Sequence, residues 1–332
     1  MISRRRFKTE SAFKCLALAA LLAFGGGIAQ AQTVMKSTDI HPDGYPTVEA
    51  VKFMGKLIDE RTKGRIKINV FHSAQLGQEK DTIEQTRFGV IELNRINMAP
   101  FNNLIPATNV PSLPFIFRSV DHMRKVMDGE IGDSILKEFE KHGLIGLAFY
   151  DSGARSFYNS KQPINTPADM KGMKIRVQQS DMFISLVSAL GANATPMNFG
   201  EVYSGLQTKL IDGAENNWPS FESTKHFEVS KFYSLTEHSL SPEVLVMSKI
   251  AFDKLSAEDQ AIFKAAAKES IAEMRKLWDA REKASEAKVK AGGAVVNSVE
   301  KQPFIDAMKP VYEKFVKDDA MKALVARIQA VK

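Results

Sequence analysis

Two blocks in which strand patterns alternate with helix patterns constrain the fold of this chain most. The first block holds, in order, strand, helix, strand, helix and strand patterns at residues 34–38, 46–61, 65–71, 77–87 and 90–98. Its helix patterns repeat apolar residues every three or four positions, and its clearest strand pattern alternates apolar and polar residues. Alternation of this kind favours a parallel sheet with helices packed on its faces.

A second block of the same kind follows. It opens with the apolar run 144–150, which suits a buried strand, and continues with a strand pattern at 174–177. Helix patterns at 180–190 and 200–209 come next, before a late strand pattern at 244–247. The two blocks predict an α/β protein with two lobes and a ligand cleft between them, at the carboxyl ends of strands.

A long helix is predicted after the second block. Ser256 and Asp259 form a capping-box pattern, and helical spacing continues to Gly292 and Gly293. The expected organisation is a signal peptide at 1–31, a mainly N-terminal lobe at 32–150, a mainly C-terminal lobe at 151–248, and at 249–332 a long helix that spans both lobes, followed by further helices that pack on them.

The first 31 residues have the order of a secretory signal peptide. Five basic residues are followed by the apolar run 15–24 and by the small residues Ala29 and Ala31. The chain has a formal net charge of +6, and this segment holds five basic residues and one acidic residue, so the remainder carries only +2. A balance this small argues against a nucleic-acid surface. We expect a periplasmic protein; a retained membrane anchor is the alternative, although the run is short for a span.

The sequence lacks the common signatures of catalysis and cofactor binding. No two histidines have the spacing of a zinc protease, no Gly-x-Ser-x-Gly motif occurs, and the single cysteine, Cys15, lies in the predicted signal peptide. We therefore expect no metal site, no cofactor and no catalytic residues. Paired carboxylates leave no linear signature, so an enzyme remains an alternative.

Polar residues interrupt strand patterns or follow strand ends at several places. Arg176 lies inside a short strand pattern, where a solvent-exposed arginine fits equally well. Residues 151–155 follow the apolar run 144–150, a position typical of a binding loop. Residues 212–219 combine acidic and amide side chains with Trp218, which also fits a turn with a packing indole.

Four segments carry a family resemblance in their order and spacing, at residues 73–77, 171–177, 200–203 and 210–216. Through them the chain resembles the extracytoplasmic solute-binding component of tripartite ATP-independent periplasmic (TRAP) transporters, the DctP-type family. The resemblance covers nearly all of the chain after the signal peptide. It implies two α/β lobes that close on a small organic acid, delivery of that acid to a membrane permease, and no transformation of the ligand.

The resemblance also implies roles for individual residues. Arg176 matches the arginine that clamps the ligand carboxylate, which a planar guanidinium does with two parallel N–H donors. Arg155 matches a second ligand arginine, Asn216 a polar ligand contact, and Phe199 a residue that packs over the ligand. Glu79 and Asn97 match two further contact positions. Glu79 also fits a carboxylate that favours a helix N-terminus.

The polar residues favour a ligand with one charged end and several hydroxyls. Glu79 would repel a second carboxylate but accepts hydroxyl donors. Amide side chains that could serve the remaining hydroxyls are Asn97, Gln178, Asn216 and Asn217. Trp218 offers an apolar wall for a sugar ring. These features predict a sugar acid.

Three segments are similar to TRAP binding proteins for hexuronates (D-galacturonate and D-glucuronate), at residues 41–48, 149–155 and 215–220. In this interpretation His41 contacts the ligand, although a structural loop histidine is equally consistent with the sequence. The expected partners are a hexuronate and the permease subunits, and the expected state is a monomer. Alternatives are another organic acid (a C4-dicarboxylate, 2-oxo acid or aldonate), presentation to a sensor kinase, or an exported sugar-acid enzyme.

Overall fold

The computed structural model describes residues 32–332, so the predicted signal peptide lies outside the described part of the chain. Its strands are β1 (Thr33–Thr38), β2 (Ile66–Phe71), β3 (Leu93–Asn97), β4 (Leu144–Tyr150), β5 (Arg155–Asn159), β6 (Lys174–Val177), β7 (Asn193–Pro196), β8 (Gly213–Asn216), β9 (Phe232–Ser239), β10 (Glu243–Ser248) and β11 (Val295–Ser298).

The α-helices of the same residues alternate with these strands. They are α1 (Pro46–Arg61), α2 (Glu79–Arg87), α3 (Asn109–Ser112), α4 (Val120–Met127), α5 (Glu130–Glu138), α6 (Asp181–Ala189), α7 (Val202–Gln207), α8 (Trp218–Ser223), α9 (His226–Val229), α10 (Lys249–Phe252), α11 (Ala257–Ala291), α12 (Gln302–Asp306), α13 (Lys309–Phe315) and α14 (Asp319–Ala330). Short 3-10 helices lie at Ala99–Phe101, Pro106–Thr108, Phe139–His142, Pro167–Met170 and Phe199–Glu201.

The first sheet has the strand order β2-β1-β3-β10-β4. β1 pairs in parallel with both β2 and β3, as the alternating pattern of the first block predicts. β10 comes from much later in the chain and runs antiparallel between β3 and β4. The carboxyl ends of β1 and β3 therefore meet at one edge, beside the first residues of β10.

The second sheet has the order β11-β9-β5-β8-β6-β7. β6 is parallel to β7 and β8, whereas β5 is antiparallel to its neighbours β8 and β9. Helices accompany each sheet, which confirms the predicted α/β class.

Helix α11 connects the two halves of the molecule. It begins at the N-cap Ser256, whose hydroxyl accepts a hydrogen bond from the Asp259 amide, and it runs for 35 residues. Its buried face includes Phe263, Met274 and Trp278, which pack among residues of α1 and the first sheet. The helix also packs against α8 of the second half, where Arg281 and Lys288 both pair with Glu222. The predicted long helix is thereby confirmed.

The chain crosses between the sheets after β4. Asp151, at the crossing, is fully buried and pairs with Arg124 and with Arg275 of α11. The next residue, Ser152, accepts a hydrogen bond of 2.7 Å from Asn217 Nδ2. β10 lies within residues 151–248, which are predicted to form mainly the C-terminal lobe, but it pairs with β3 and β4 of the first sheet. The chain therefore crosses back to the first sheet before residue 249. The boundaries at 150 and 248 stay a prediction.

None of the helices within residues 32–332 is both long enough and apolar enough to cross a membrane.

Candidate functional site

A small cavity lies between the two sheets, with walls from both. The first sheet and its connections contribute Ile40, His41, Glu79, Arg95, Asn97 and Glu243, and the second contributes Arg155, Arg176, Gln178, Phe199, Asn216 and Ser220. Its lining is mostly polar or charged, so the cavity suits a small polar molecule.

Most of the residues predicted to bind ligand meet in this cavity, namely His41, Glu79, Asn97, Arg155, Arg176, Gln178, Phe199 and Asn216. They come from the carboxyl ends of β1, β3 and β6, the first turn of α2, strands β5, β6 and β8, and the 3-10 helix Phe199–Glu201. The sheet topology thus brings together residues that are up to 175 positions apart in the chain.

Arg176 has a buried side chain with a free edge. Its Nε and Nη2 donate hydrogen bonds of 3.0 and 2.8 Å to the Met197 carbonyl, which fixes the plane of the guanidinium. Within residues 32–332 no carboxylate forms an ion pair with this side chain, and the Phe199 ring lies 5.8 Å from its Cζ. Burial lowers the pKa of Arg176, although Glu215 opposes that change from a distance. An unpaired buried cation of this kind is suited to an anionic ligand.

Arg155, by contrast, is already neutralised. It lies on β5 and forms a bidentate ion pair with Glu215 on the adjacent β8, with Nε–Oε2 and Nη2–Oε1 distances of 2.5 and 2.8 Å. Both side chains are at most 2% exposed. Burial opposes ionisation of Glu215, but Arg155 and then His238 hold its pKa at about 2.

Arg95 is a third buried arginine of the cavity, and the sequence analysis did not single it out. It lies on β3, donates to both carboxylate oxygens of Asp39 and also pairs with Glu243 of β10. A signal was available, because Arg95 lies two positions before Asn97 and so points to the same face of the strand. A charged residue in the middle of a buried strand needs partners nearby.

Glu79 begins α2 and lies at the outer limit of ion-pair distance from Arg95. Its Oε1 accepts a hydrogen bond of 3.1 Å from the Asn97 amide and lies 4.0 Å from Arg95 Nη1. Burial raises the pKa of Glu79 to about 7, with Arg95 opposing the rise and Glu243 adding to it. Asn97 also donates through Nδ2 to Glu243, so it orients both carboxylates.

Two further side chains bring unused hydrogen-bonding atoms to the cavity. His41 is stacked on Tyr45 at 3.8 Å, and its Nδ1 is buried without a hydrogen-bond partner among residues 32–332. Burial, then Arg95 and Arg155, lower the pKa of His41 well below its usual value, so its ring is neutral. Gln178 Oε1 is likewise buried and unpartnered. These atoms are available to hydroxyl groups of a ligand.

Two predicted ligand residues have structural contacts instead. Trp218 is 8% exposed and stacks on Tyr233 at 3.9 Å within the apolar core of the second half, so it is not part of the cavity wall. Asn217 caps α8 by accepting from the Ser220 amide, and its Nδ2 donates to Ser152.

Direct contacts close the space around the cavity. Tyr45 Oη and Ser220 Oγ are 3.0 Å apart, and Ser180 Oγ donates to Asn102 Oδ1 at 2.7 Å. Each pair joins a residue attached to the first sheet with one attached to the second. The two halves are therefore in direct contact, and one of these contacts involves Ser220 of the cavity lining.

Residues 38–319 match the family model of bacterial extracellular solute-binding proteins, family 7 (DctP). The chain belongs to this family. A solute-binding protein of Chromohalobacter salexigens is 41% identical over 332 residues, which cover 99% of each chain.

Solved structures extend the similarity. A TRAP periplasmic solute-binding protein of Bradyrhizobium sp. BTAi1, in complex with α/β-D-galacturonate, is 57% identical and has a TM-score of 0.88, over 89% of this chain and 99% of that protein. One from Roseobacter denitrificans with bound β-D-glucuronate is 46% identical, with a TM-score of 0.88 over 90% and 100% of the two chains. These comparisons confirm the predicted DctP family and its two-lobed fold.

Proposed function

We propose that this DctP-family protein captures a hexuronate, D-galacturonate or D-glucuronate, in the cavity between its lobes. The observation that carries the proposal is the difference in ion pairing among the three buried arginines. Arg95 and Arg155 are paired with carboxylates of the protein, whereas Arg176 has none among the described residues. The carboxylate of the ligand supplies the missing partner.

The free edge of Arg176 sets the orientation of the ligand. The Met197 carbonyl engages Nε and one hydrogen of Nη2, which leaves Nη1 and the second Nη2 hydrogen for two carboxylate oxygens. Phe199 beside the guanidinium provides an apolar surface for the sugar carbons. The sugar ring then extends toward Glu79, Gln178 and His41, whose free atoms pair with its hydroxyls.

The galacturonate and glucuronate bound to similar proteins support this ligand class over a dicarboxylate. A second carboxylate would enter the region of Glu79 and Glu243, where like charges oppose it. An aldonate is the second candidate, because a protein of Polaromonas sp. JS666 that is 35% identical over 91% of this chain holds D-erythronate. The hexuronates are favoured over this four-carbon acid because the two proteins described above that hold them are more similar to this chain, at 57% and 46% identity.

The family supports the cellular role that we propose. The chain is exported to the periplasm, binds the hexuronate without transforming it, and passes it to the permease subunits of a TRAP transporter. The predicted signal peptide and the family match support this route.

Saturating galacturonate or glucuronate should raise the melting temperature of the protein. A ligand at about 100 times its dissociation constant adds about 2.7 kcal/mol to the free energy of unfolding, because it binds only the folded state. Thermal denaturation with and without each sugar acid measures the effect, and titration calorimetry then gives the Kd.

Succinate, D-erythronate and neutral D-galactose serve as comparison ligands in the same assay. Galactose has the ring but lacks the carboxylate, so it should give no shift. A larger shift with succinate or erythronate than with either hexuronate would contradict the proposed ligand. Recovery of unchanged uronate by mass spectrometry after incubation tests the absence of turnover.

A further inference from the structure

The carboxylates in and directly beside the cavity outnumber its buried arginines. The buried cations are Arg95, Arg155 and Arg176, and the carboxylates around them are Asp39, Glu79, Glu215 and Glu243. With every group ionised, the site has one excess negative charge before a ligand arrives. A uronate would raise that excess to two in a space from which water is largely excluded, which is unfavourable at low dielectric.

Glu79 is the carboxylate least compensated by its neighbours. Asp39 and Glu215 each form a bidentate pair with an arginine, and Glu243 pairs with Arg95 and accepts from Asn97 Nδ2. Glu79 has the Asn97 amide as its one hydrogen-bond donor within residues 32–332, and its nearest cation is 4.0 Å away. Arg95 is itself already shared by two other carboxylates.

We infer that Glu79 is the proton acceptor of the site, so that uronate binding takes up a proton at this carboxyl group. The inference rests on the proposed function, since it requires an anionic ligand at Arg176. A neutral Glu79 keeps the occupied cavity at one net negative charge. The protonated carboxyl also presents one donor and one acceptor to a sugar hydroxyl, where a carboxylate presents acceptors alone.

No group near Glu79 among residues 32–332 is better suited to take up this proton. The charged groups that face it are Arg95 from β3, Glu243 from β10, Arg176 from β6 and, at the outer side, the exposed Lys80 of its own helix. His41 lies in the same cavity, but burial and then Arg95 and Arg155 disfavour its protonated form. The raised pKa of Glu79 agrees with this geometry, and an added ligand carboxylate would raise it further.

The test compares the wild type with Glu79→Gln, which keeps the shape and the donor of a protonated carboxyl but cannot ionise. The Kd of the wild type for galacturonate should increase at least tenfold from pH 6.5 to pH 8.5, because binding then requires a proton that is increasingly scarce. The Kd of Glu79→Gln should change less than twofold over the same range. His41→Asn is the matched control and should retain the wild-type pH dependence.

Calorimetry of the wild type in phosphate and in Tris gives an independent readout, because these buffers release a proton with very different enthalpies. Uptake of about half to one proton per uronate near pH 7.5 would support the inference. Equal enthalpies in both buffers, or a pH dependence that persists in Glu79→Gln, would overturn it while leaving uronate capture intact. The absence of any uronate heat at both pH values would instead reject the proposed function, and this inference with it.

Discussion

Replacing Arg176 with lysine is expected to weaken galacturonate binding about a hundredfold while the fold remains intact. The guanidinium is fixed on the Met197 carbonyl by one edge and offers the other edge to the ligand. A lysine ammonium has no planar fork and cannot make both sets of contacts. Loss of a buried, hydrogen-bonded charge contact costs about 2–5 kcal/mol, and a hundredfold weaker Kd corresponds to about 3 kcal/mol.

Titration calorimetry at pH 6.5 provides the measurement, with Arg61→Lys as the control. Arg61 forms a bidentate pair with Glu269 on the surface and does not line the cavity, so its replacement should leave the Kd unchanged. The ligand-free melting curve of Arg176→Lys should resemble that of the wild type, because Arg176 forms no ion pair within the described part of the chain. A Kd within threefold of the wild type would mean that the ligand carboxylate binds elsewhere.

Regular apolar spacing made much of the fold predictable. The helix pattern at 46–61 and the strand patterns at 144–150 and 174–177 match the observed elements at both ends. Each is an element whose apolar residues face a core, which is the property that periodicity detects. The long helix at 257–291 was predicted for the same reason, with its N-cap Ser256.

Strands β5 and β8 could not be read from periodicity. Their sequences, Arg-Ser-Phe-Tyr-Asn and Gly-Ala-Glu-Asn, have polar residues where a buried strand usually has apolar ones. Every residue of both strands is nevertheless buried. The strands are adjacent and antiparallel, so Arg155 and Glu215 neutralise each other across a separation of 60 residues in the chain. Such pairing is a tertiary property and leaves no local pattern.

The same limit applies to the charge balance of the site. Arg95 and Glu243 are 148 residues apart, and they meet because β10 returns to the first sheet. Single residues with a family match, such as Arg176, could be placed near a ligand from sequence. Among the described residues Arg176 lacks a carboxylate partner because the other two arginines have one through tertiary contacts. β10 brings Glu243 to Arg95, and the pairing of β5 with β8 brings Glu215 to Arg155.

Replacing Glu215 with glutamine is expected to lower the free energy of unfolding at neutral pH by about 3–5 kcal/mol. The change leaves Arg155 charged and buried without its bidentate partner, which is the costly way to break a buried ion pair. Urea denaturation of the ligand-free protein at pH 7 measures the difference from the wild type. An equal stability of the two proteins would contradict the role assigned to Glu215.

The stability difference between the two proteins should depend on pH in a defined direction. Although burial opposes ionisation, Arg155 holds the pKa of Glu215 at about 2 in the folded state, below its ordinary value of 4.5. A lowered folded-state pKa stabilises the protein fully above the unfolded value, and this stabilisation disappears as the pH falls toward 2. The difference between the wild type and Glu215→Gln should therefore be constant from pH 5 to pH 7 and decrease at lower pH.

The double variant Arg155→Met, Glu215→Leu separates the cost of an unpaired charge from the value of the pair. Both charges are removed together, and apolar side chains of similar size fill the space between β5 and β8. Replacements of this type are often neutral or stabilising, so most of the stability lost in Glu215→Gln should return. If the double variant is as unstable as the single one, the instability comes from altered packing and not from the unpaired Arg155. Recovery would instead show that Glu215 stabilises the fold because it neutralises the buried Arg155.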